Sequence, residues 1–235
     1  MKEFLRTEML LGSSAVEKLK NSRVAIFGVG GVGGYVAEAL ARSGVGSLML
    51  VDNDKVSPSN INRQIIALHS TVGEYKVDVL EKRLKDINPN IEVVTKKIFY
   101  LPENADEIPL DFDYVADAVD TVTAKIELIS RANKSGVKII SSMGTGNKVN
   151  PLKFKIADIE KTSGCPLARV MRKELKNRGI SGVKVVYSDE TPTLLTNVEE
   201  NCVVEKRTPS SIVFMPAIAG LLMASEIIKD LTKDV

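Results

Sequence analysis

The sequence has 235 residues, of which 44% are hydrophobic and 26% charged, and its net charge is only +2. These values are typical of a globular protein, and the charge balance alone does not indicate a nucleic-acid binder. No run reaches the ~20 apolar residues of a membrane span, and the N-terminus lacks a signal-peptide pattern, so we expect a cytoplasmic protein without a membrane partner. Two cysteines, Cys165 and Cys202, are too few for a zinc site built from four thiolates.

Short apolar strands and amphipathic helices alternate along the first 145 residues. The pattern predicts strands over 23–27, 47–51, 91–95, 114–119 and 137–141, and helices over 32–42, 75–87 and 121–133. Such alternation is typical of βαβ units. We therefore predict an α/β fold: a Rossmann-like, mainly parallel sheet with helices on both faces, in which residues 1–145 form the nucleotide-binding half.

The rhythm changes in residues 146–235, the predicted substrate and dimer half of the same single domain, 1–235. Here we expect extended chain over 152–159, a helix over 166–178, strands over 183–187 and 212–215, and a closing helix over 216–231. The polar stretch 188–211 holds two prolines and predicts a crossover loop. The sheet is thus expected to gain additional strands from this half.

A glycine-rich turn, Gly28-Val29-Gly30-Gly31-Val32-Gly33, follows the first predicted strand and opens a helix. Glycines allow the backbone to approach a phosphate, and a helix N-terminus offers N–H groups to it. Asp52 ends the next strand, ~20 residues further on, where a carboxylate can accept hydrogen bonds from a ribose. This pattern is shared by NAD and ATP enzymes, and a turn that binds nothing is the simpler alternative.

Two basic residues and one carboxylate distinguish a site for a triphosphate from a site for NAD. Arg63 can donate two hydrogen bonds to phosphate oxygens, and Lys76 can add a point charge. Their alternatives are a surface ion pair for Arg63 and a solvated helix flank for Lys76. Asp120 follows the strand 114–119, where it could hold Mg²⁺ against the phosphates or cap the helix that begins at Thr121. The other polar residues expected to contact ATP are Asp54, Asn60 and Gln64.

The chain resembles the ThiF/MoeB-type adenylyltransferases, relatives of the ubiquitin-activating enzymes. The resemblance is carried by ordered elements: Arg6, the glycine turn, Asp52-Asn53-Asp54, Ser59-Asn60-Ile61-Asn62-Arg63-Gln64, Val72-Gly73-Glu74-Tyr75-Lys76, Ile87-Asn88-Pro89 and Asp120. It implies ribose binding by Asp52, phosphate binding by Arg63 and Lys76, and magnesium at Asp120. It also implies a homodimer in which Arg6 reaches the partner's site.

Within that superfamily the chain is most similar to the tRNA threonylcarbamoyladenosine dehydratases. Residues 37–46, 60–64, 118–121 and 165–175 carry this narrower resemblance. It implies ATP-dependent cyclisation of N6-threonylcarbamoyladenosine at position 37 of tRNA through a carboxyl-adenylate. It also allows a monovalent cation and a cysteine desulfurase partner. The paired CxxC zinc motifs of many superfamily members are missing, so we expect no zinc.

The helix predicted over 166–178 has an apolar stripe and a basic face. The stripe consists of Leu167, Val170, Met171 and Leu175, and the cations are Arg169, Arg172, Lys173, Lys176 and Arg178. Such a face is suited to tRNA phosphates. The alternative is a solvated face with ion pairs between successive turns, for which Glu174 is the one acidic residue in the helix.

Three other functions remain open at this level. The chain could activate the Gly-Gly end of a ubiquitin-like sulfur carrier, with Cys202 accepting the group. It could be an NAD-dependent oxidoreductase, or a nucleotide-bound scaffold without turnover. Because cyclisation uses a nucleophile within the substrate, the dehydratase interpretation gives neither Cys165 nor Cys202 a role.

Overall fold

The computed structural model describes residues 2–193 and 209–234. The α-helices in these ranges are α1 (Leu5–Leu11), α2 (Ser13–Lys20), α3 (Gly33–Arg42), α4 (Lys76–Ile87), α5 (Val122–Ser135), α6 (Pro166–Asn177) and α7 (Phe214–Leu231). The strands are β1 (Arg23–Phe27), β2 (Ser47–Val51), β3 (Glu92–Lys96), β4 (Tyr114–Asp117), β5 (Lys138–Ser142), β6 (Phe154–Asp158) and β7 (Lys184–Ser188).

All these strands join one sheet, in the order β3-β2-β1-β4-β5-β7-β6. Every neighbouring pair is parallel except β6 and β7, which are antiparallel. The Rossmann-like, mainly parallel sheet predicted from the sequence is confirmed. The C-terminal half extends it with β7 and β6, so both halves of the chain share one sheet.

Helices cover both faces of the sheet because the central strands are apolar on both sides. On β1, Val24 and Ile26 pack in one core cluster with α3, α4 and α7, whereas Ala25 and Phe27 pack in another with α5. Helix α6 packs beside α5, where Met171 joins a third cluster with the side chains of β7. Alternating strand side chains therefore sort the helices onto the two faces.

The predicted strand over 212–215 is wrong. Residues 211–213 form no regular element, and α7 begins at Phe214. Ile212 and Val213 are exposed, so they do not lie beside another strand. Pro216 fits in the first turn of the helix because N–H groups there have no partner within the helix. A Cβ at Gly220 would lie 2.5 Å from the Val32 carbonyl oxygen, so this glycine lets α7 pack closely on α3.

Two further expectations concern the crossover loop and membrane-spanning helices. Most of the predicted crossover loop over 188–211 lies outside the described residues. None of the helices that the structure describes is long and apolar enough to cross a membrane.

Candidate functional site

A cavity of about 600 Å³ opens at the carboxyl ends of β1 and β4, where the strand order reverses direction. This is the position at which doubly wound α/β sheets bind ligands. The lining includes most of the residues predicted to contact a nucleotide, namely Gly28, Gly30, Gly31, Asp52, Asp54, Asn60, Arg63, Gln64, Lys76 and Asp120. Gly33 and Arg6 are not among the lining residues.

The glycine turn brings the main chain to the cavity wall. Gly28 has φ +82°, and a Cβ there would lie 2.7 Å from the Ala118 carbonyl oxygen. A Cβ at Gly33 would lie 1.8 Å from the Gly28 carbonyl oxygen, so neither position accepts a side chain. Helix α3 then begins without a capping side chain. A phosphate in the cavity can therefore approach main-chain N–H groups at the helix N-terminus.

The Asp52 carboxylate is fixed by two main-chain donors. Its Oδ2 accepts from the Val29 N–H and its Oδ1 from the Asp54 N–H, both at 2.8 Å. Burial raises the pKa of Asp52, and the nearby Lys76 charge, which acts in the opposite direction, does not outweigh it. Each carboxylate oxygen can still accept a second hydrogen bond, so the pair can receive both hydroxyls of a ribose.

Lys76 is the first residue of α4 and is only 6% exposed. The interpretation of this residue as a solvated helix flank is therefore wrong. Its Nζ donates to Asp54 Oδ2 at 2.7 Å, and its main-chain N–H donates to the Asp54 carbonyl oxygen at 3.0 Å. Asp54 thus holds an ammonium group at the cavity wall, where water screens it poorly.

The Arg63 guanidinium is held by neutral acceptors. Its Nη1 donates to the Ser59 carbonyl oxygen and to Asn62 Oδ1, both at 2.8 Å. No carboxylate within 2–193 and 209–234 forms an ion pair with Arg63, so the surface ion-pair interpretation finds no support there. The positive charge remains available to an anion in the cavity.

Two amide side chains in the same turn have different surroundings. Asn60 Oδ1 accepts from the Ser57 N–H at 3.1 Å, which braces the turn before Arg63. Gln64 is buried at the cavity, and its Oε1 has no hydrogen-bond partner in the part of the chain that the structure describes. A buried acceptor without a donor is unusual in a folded protein.

Asp120 is exposed at the cavity, just beyond β4. The interpretation of Asp120 as a helix cap is wrong, because Thr121 is the N-cap of α5. Magnesium in nucleotide sites takes one or two protein carboxylates together with phosphate oxygens. A single exposed carboxylate beside Lys76 and Arg63 fits that requirement.

A buried ion pair below Asp120 was not predicted from the sequence. Lys125 Nζ lies 3.1 Å from Asp117 Oδ2, with both side chains almost fully inaccessible, and Ser141 Oγ donates to the same oxygen at 2.5 Å. Asp117 Oδ1 accepts from the Val119 N–H at 3.2 Å and so fixes the loop that carries Asp120. A lysine among the apolar positions of a helix was the available signal.

A second set of lining residues comes from the end of β5, the loop after it and the C-terminal half, and of these Leu167 was named from the sequence, in the apolar stripe. They are Ser142, Met143, Gly144, Thr145, Gly146, Leu167, Pro209, Ser210, Ser211 and Pro216. Beneath them, the buried Lys148 donates from Nζ to the Gly144 and Ser188 carbonyl oxygens, each at 3.1 Å. Burial lowers the pKa of Lys148. This side chain ties the carboxyl ends of β5 and β7 together.

Helix α6 starts at the cavity rim with Leu167 and presents exposed cations further along. Those that lie exposed are Arg169, Lys173, Lys176 and Arg178. Arg172 differs from the prediction, since its Nη1 donates to the Thr162 carbonyl oxygen at 2.9 Å and to Thr162 Oγ1 at 2.6 Å. Arg178 pairs with Glu174 at 2.7 Å.

The predicted apolar stripe of α6 is also corrected: Val170 is exposed, and the buried face is Ala168, Met171 and Leu175.

The remaining predicted residues lie apart from the cavity. Arg6 is exposed on α1, a helix without buried residues. Cys165 is buried at the start of α6, and Cys202 lies outside the described residues. Within the described ranges, no three His, Cys, Asp or Glu side chains come together as a metal site.

Comparison with known proteins agrees with this geometry. The model of the ThiF family matches residues 4–234. The tRNA threonylcarbamoyladenosine dehydratase of Bacillus subtilis (strain 168) is 46% identical over 243 residues, covering 99% of this chain and 96% of that protein. Crystal structures of the Escherichia coli tRNA N6-threonylcarbamoyladenosine dehydratase match at 30% identity, with TM-scores of 0.89 for the ATP complex and 0.90 for the AMP complex. Each match covers 99% of this chain and 94% of the other. The chain therefore belongs to the ThiF family.

Proposed function

We propose that this protein is an ATP-dependent tRNA threonylcarbamoyladenosine dehydratase. It would cyclise N6-threonylcarbamoyladenosine at position 37 of tRNA by converting the threonyl carboxylate into an acyl-adenylate. The observation that carries the proposal is the position of Lys76 and Arg63 beside the glycine turn, in a chain that matches dehydratases over nearly its whole length. An NAD enzyme has no need for two cations at this point of the cavity.

The proposed reaction has two steps. A threonyl carboxylate oxygen attacks the α-phosphorus of ATP, and pyrophosphate leaves. A nitrogen of the same modification then attacks the activated carbonyl carbon, the bond from that carbon to the AMP oxygen breaks, and the nitrogen loses its proton. The nucleoside loses the elements of one water molecule, and no enzyme thiol takes part.

The protein's contribution is placement and charge compensation. Asp52 holds the ribose, the glycine turn receives phosphate oxygens, and Lys76 with Arg63 balances the charge that moves onto pyrophosphate. Gln64 lines the cavity with its Nε2 beside Gly30, where it can contact the nucleotide. Asp120 would hold Mg²⁺, which supplies further compensation of phosphate charge. A monovalent cation and a cysteine desulfurase partner are the additional expectations of the family resemblance.

The proposed tRNA surface is the basic face of α6. Arg169, Lys173 and Lys176 are exposed and form no ion pair within the described part of the chain, whereas Arg172 and Arg178 have the intramolecular partners described above. Leu167, near the start of α6, lines the cavity. A tRNA backbone bound along α6 would therefore approach the cavity from the side that α6 forms. We therefore propose Arg169, Lys173 and Lys176 as the principal phosphate contacts.

We further propose that the active form is a homodimer. Helix α1 leaves Leu5, Met9 and Leu10 more than half exposed. A cluster of apolar side chains on one short helix is the kind of surface that a partner subunit covers. Arg6 lies on the same helix, so a dimer formed there could bring Arg6 to the partner's phosphates.

A mass measurement of the nucleoside tests the function. The protein is incubated with ATP, magnesium and tRNA that carries threonylcarbamoyladenosine, and the tRNA is then digested to nucleosides. We expect the modified nucleoside to lose one water, with AMP released in equal amount. An unchanged mass, with AMP released only when a protein ending in Gly-Gly is added, would favour activation of a sulfur carrier instead.

A further inference from the structure

Residues 209–211 form one wall of the cavity, and two asparagines outside the proposed catalytic set hold them in place. Pro209, Ser210 and Ser211 line the cavity together with Leu167 and residues 144–146. The residues that line the cavity and are proposed to bind the nucleotide all lie between 28 and 120. The lining from residues 142–146, Leu167 and 209–211 is therefore left for the acceptor, the modified base that carries the carboxylate.

Asn147 makes an unusual number of hydrogen bonds to this wall. Its Oδ1 accepts from the Ser210 N–H at 2.8 Å and from Ser210 Oγ at 2.9 Å. Its main-chain N–H donates to the Ser210 carbonyl oxygen at 2.8 Å. Its carbonyl oxygen accepts from the Thr193 N–H at 2.7 Å. Main chain and side chain of one residue are thus both used to fix neighbouring segments.

The backbone of Asn147 is in the left-handed region, with φ +59°, and no other non-glycine residue among those the structure describes has positive φ. This conformation is unfavourable for residues with a Cβ, although asparagine tolerates it better than most. Residues in such conformations are held there by their surroundings and are concentrated at functional sites. A glycine would adopt this φ freely, so the asparagine side chain indicates a role beyond the turn itself.

Two more contacts show how closely the wall is held. A Cβ at Gly146 would lie 2.7 Å from Pro209 Cβ, so the loop and the wall are in direct contact. On the other side, Asn62 Nδ2 donates to the Ser211 carbonyl oxygen at 3.0 Å. Asn62 Oδ1 also accepts from Arg63 Nη1. One side chain therefore touches both the wall and the proposed phosphate-binding arginine.

We propose that Asn147 is a positioning residue for the acceptor: it fixes residues 209–211 as the wall against which the threonylcarbamoyl group is placed for attack on ATP. This inference rests on the proposed function, since it assigns the C-terminal side of the cavity to the acceptor. It requires that loss of the Asn147 side chain weakens the use of tRNA while ATP binding stays intact.

The test compares N147G with N150G. N147G removes the two hydrogen bonds to Oδ1, keeps those of the main chain and relieves the positive φ, so its melting temperature should stay close to that of the wild type. We expect the KM for tRNA to rise on the order of tenfold, with an unchanged Kd for ATP measured by calorimetry. N150G makes the same chemical change three residues away, where Asn150 Oδ1 accepts only the local Leu152 N–H, and should leave both constants unchanged.

S210A provides a second variant that does not depend on the stability of N147G. It removes only the hydroxyl bond, so the KM for tRNA should rise less, and the double variant should be no worse than N147G alone. An unchanged KM for tRNA in both variants would overturn the inference, as would an equal weakening of ATP binding. If the wild type itself fails to dehydrate the nucleoside, the proposed function fails rather than the assignment of Asn147.

Discussion

At the scale of single residues, the proposed phosphate site contains a buried lysine. Lys76 lies at the cavity wall with its ammonium bonded to Asp54. K76M should lower the rate of ATP-dependent AMP release by ~10²-fold, because a charge-assisted contact to the phosphates is lost. K82M is the matched control: Lys82 is on the same helix, exposed and paired with Glu74. A comparable loss in K82M would show that the effect is not specific to the site.

The titration of Asp52 gives a pH dependence. Burial raises its pKa, and the carboxylate form is the one that accepts ribose hydroxyls. ATP affinity should therefore be full at neutral pH and fall as the pH decreases through that raised pKa, at a higher pH than for an ordinary aspartate. Calorimetric titrations of ATP binding at pH values from about 4 to 7 would measure this fall in affinity. D52N should bind weakly at every pH, and an equally steep fall in D52N would assign the titration to another group.

The sequence predicted the cavity's nucleotide side because that side consists of short, ordered motifs. Gly28 and Asp52 directly follow strands and Asp120 lies just beyond β4, so their meeting follows from a parallel sheet. Arg63 lies in the segment between β2 and α4 and was predicted from its residue type and motif. The hydrogen-bond partners of the basic side chains could not be predicted. Asp54 as the acceptor for Lys76, and Thr162 as the acceptor for Arg172, depend on how loops fold back, which spacing does not encode.

At the scale of elements, the buried pair of Asp117 and Lys125 joins β4 to α5. K125M leaves a carboxylate buried without its counter-ion and should lower the free energy of unfolding by about 3–5 kcal/mol. In D117N/K125M the charge is gone, the amide oxygen can still accept from the Val119 N–H, and the amide NH₂ can donate to Ser141 Oγ. Urea unfolding should show that this double variant recovers most of the loss. No recovery would mean that the ion pair itself, rather than the isolated charge, determines the stability.

The basic face of α6 has a salt-dependent signature. K173A/K176A should weaken tRNA binding, and the slope of log affinity against log salt should become shallower by about 2 if both lysines contact phosphates. Removing two cations from α4 with K82A/K85A is the control, since both are paired with glutamates there. Filter binding at several salt concentrations measures both. Equal slopes for the two variants would contradict a specific role for α6.

The elements that sequence reasoning placed well are those with strong periodicity. Val77, Leu80 and Leu84 recur at helical spacing and are all buried on α4. The error at 212–215 has a physical cause: branched apolar residues favour a strand, but the sheet offers Ile212 and Val213 no neighbouring strand. Val170 is exposed for a similar reason, because α6 packs against the rest of the fold through Ala168 and not through Val170.

At the scale of the whole molecule, the proposed homodimer would make each site depend on two chains. Arg6 does not line the cavity of its own chain, so R6A should inactivate the partner's site. Co-expressed R6A and K76M chains should recover about a quarter of the wild-type sites, because half of the dimers are mixed and each has one complete site. Activity of the separated mixed dimer measures this. A mixed dimer as inactive as its parents would mean that Arg6 acts within its own chain, and an R6A homodimer as active as the wild type would mean that Arg6 has no role.

The division of the chain at residue 145 remains a prediction at this scale. Strands from both parts join one sheet, and the cavity takes its lining from both. This arrangement suits a reaction between two substrates, because the proposed nucleotide and acceptor sites would lie on different parts of one sheet.

Activation of the threonyl carboxylate as an adenylate can be followed by an isotope measurement. Threonylcarbamoyladenosine in tRNA is labelled with ¹⁸O in its carboxylate, and the products of a complete reaction are examined by mass spectrometry. We expect one ¹⁸O atom in the phosphate of AMP for each ring closed, because the attacking oxygen leaves with AMP. Label in inorganic phosphate, accompanied by ADP, would contradict adenylation and indicate an acyl phosphate instead.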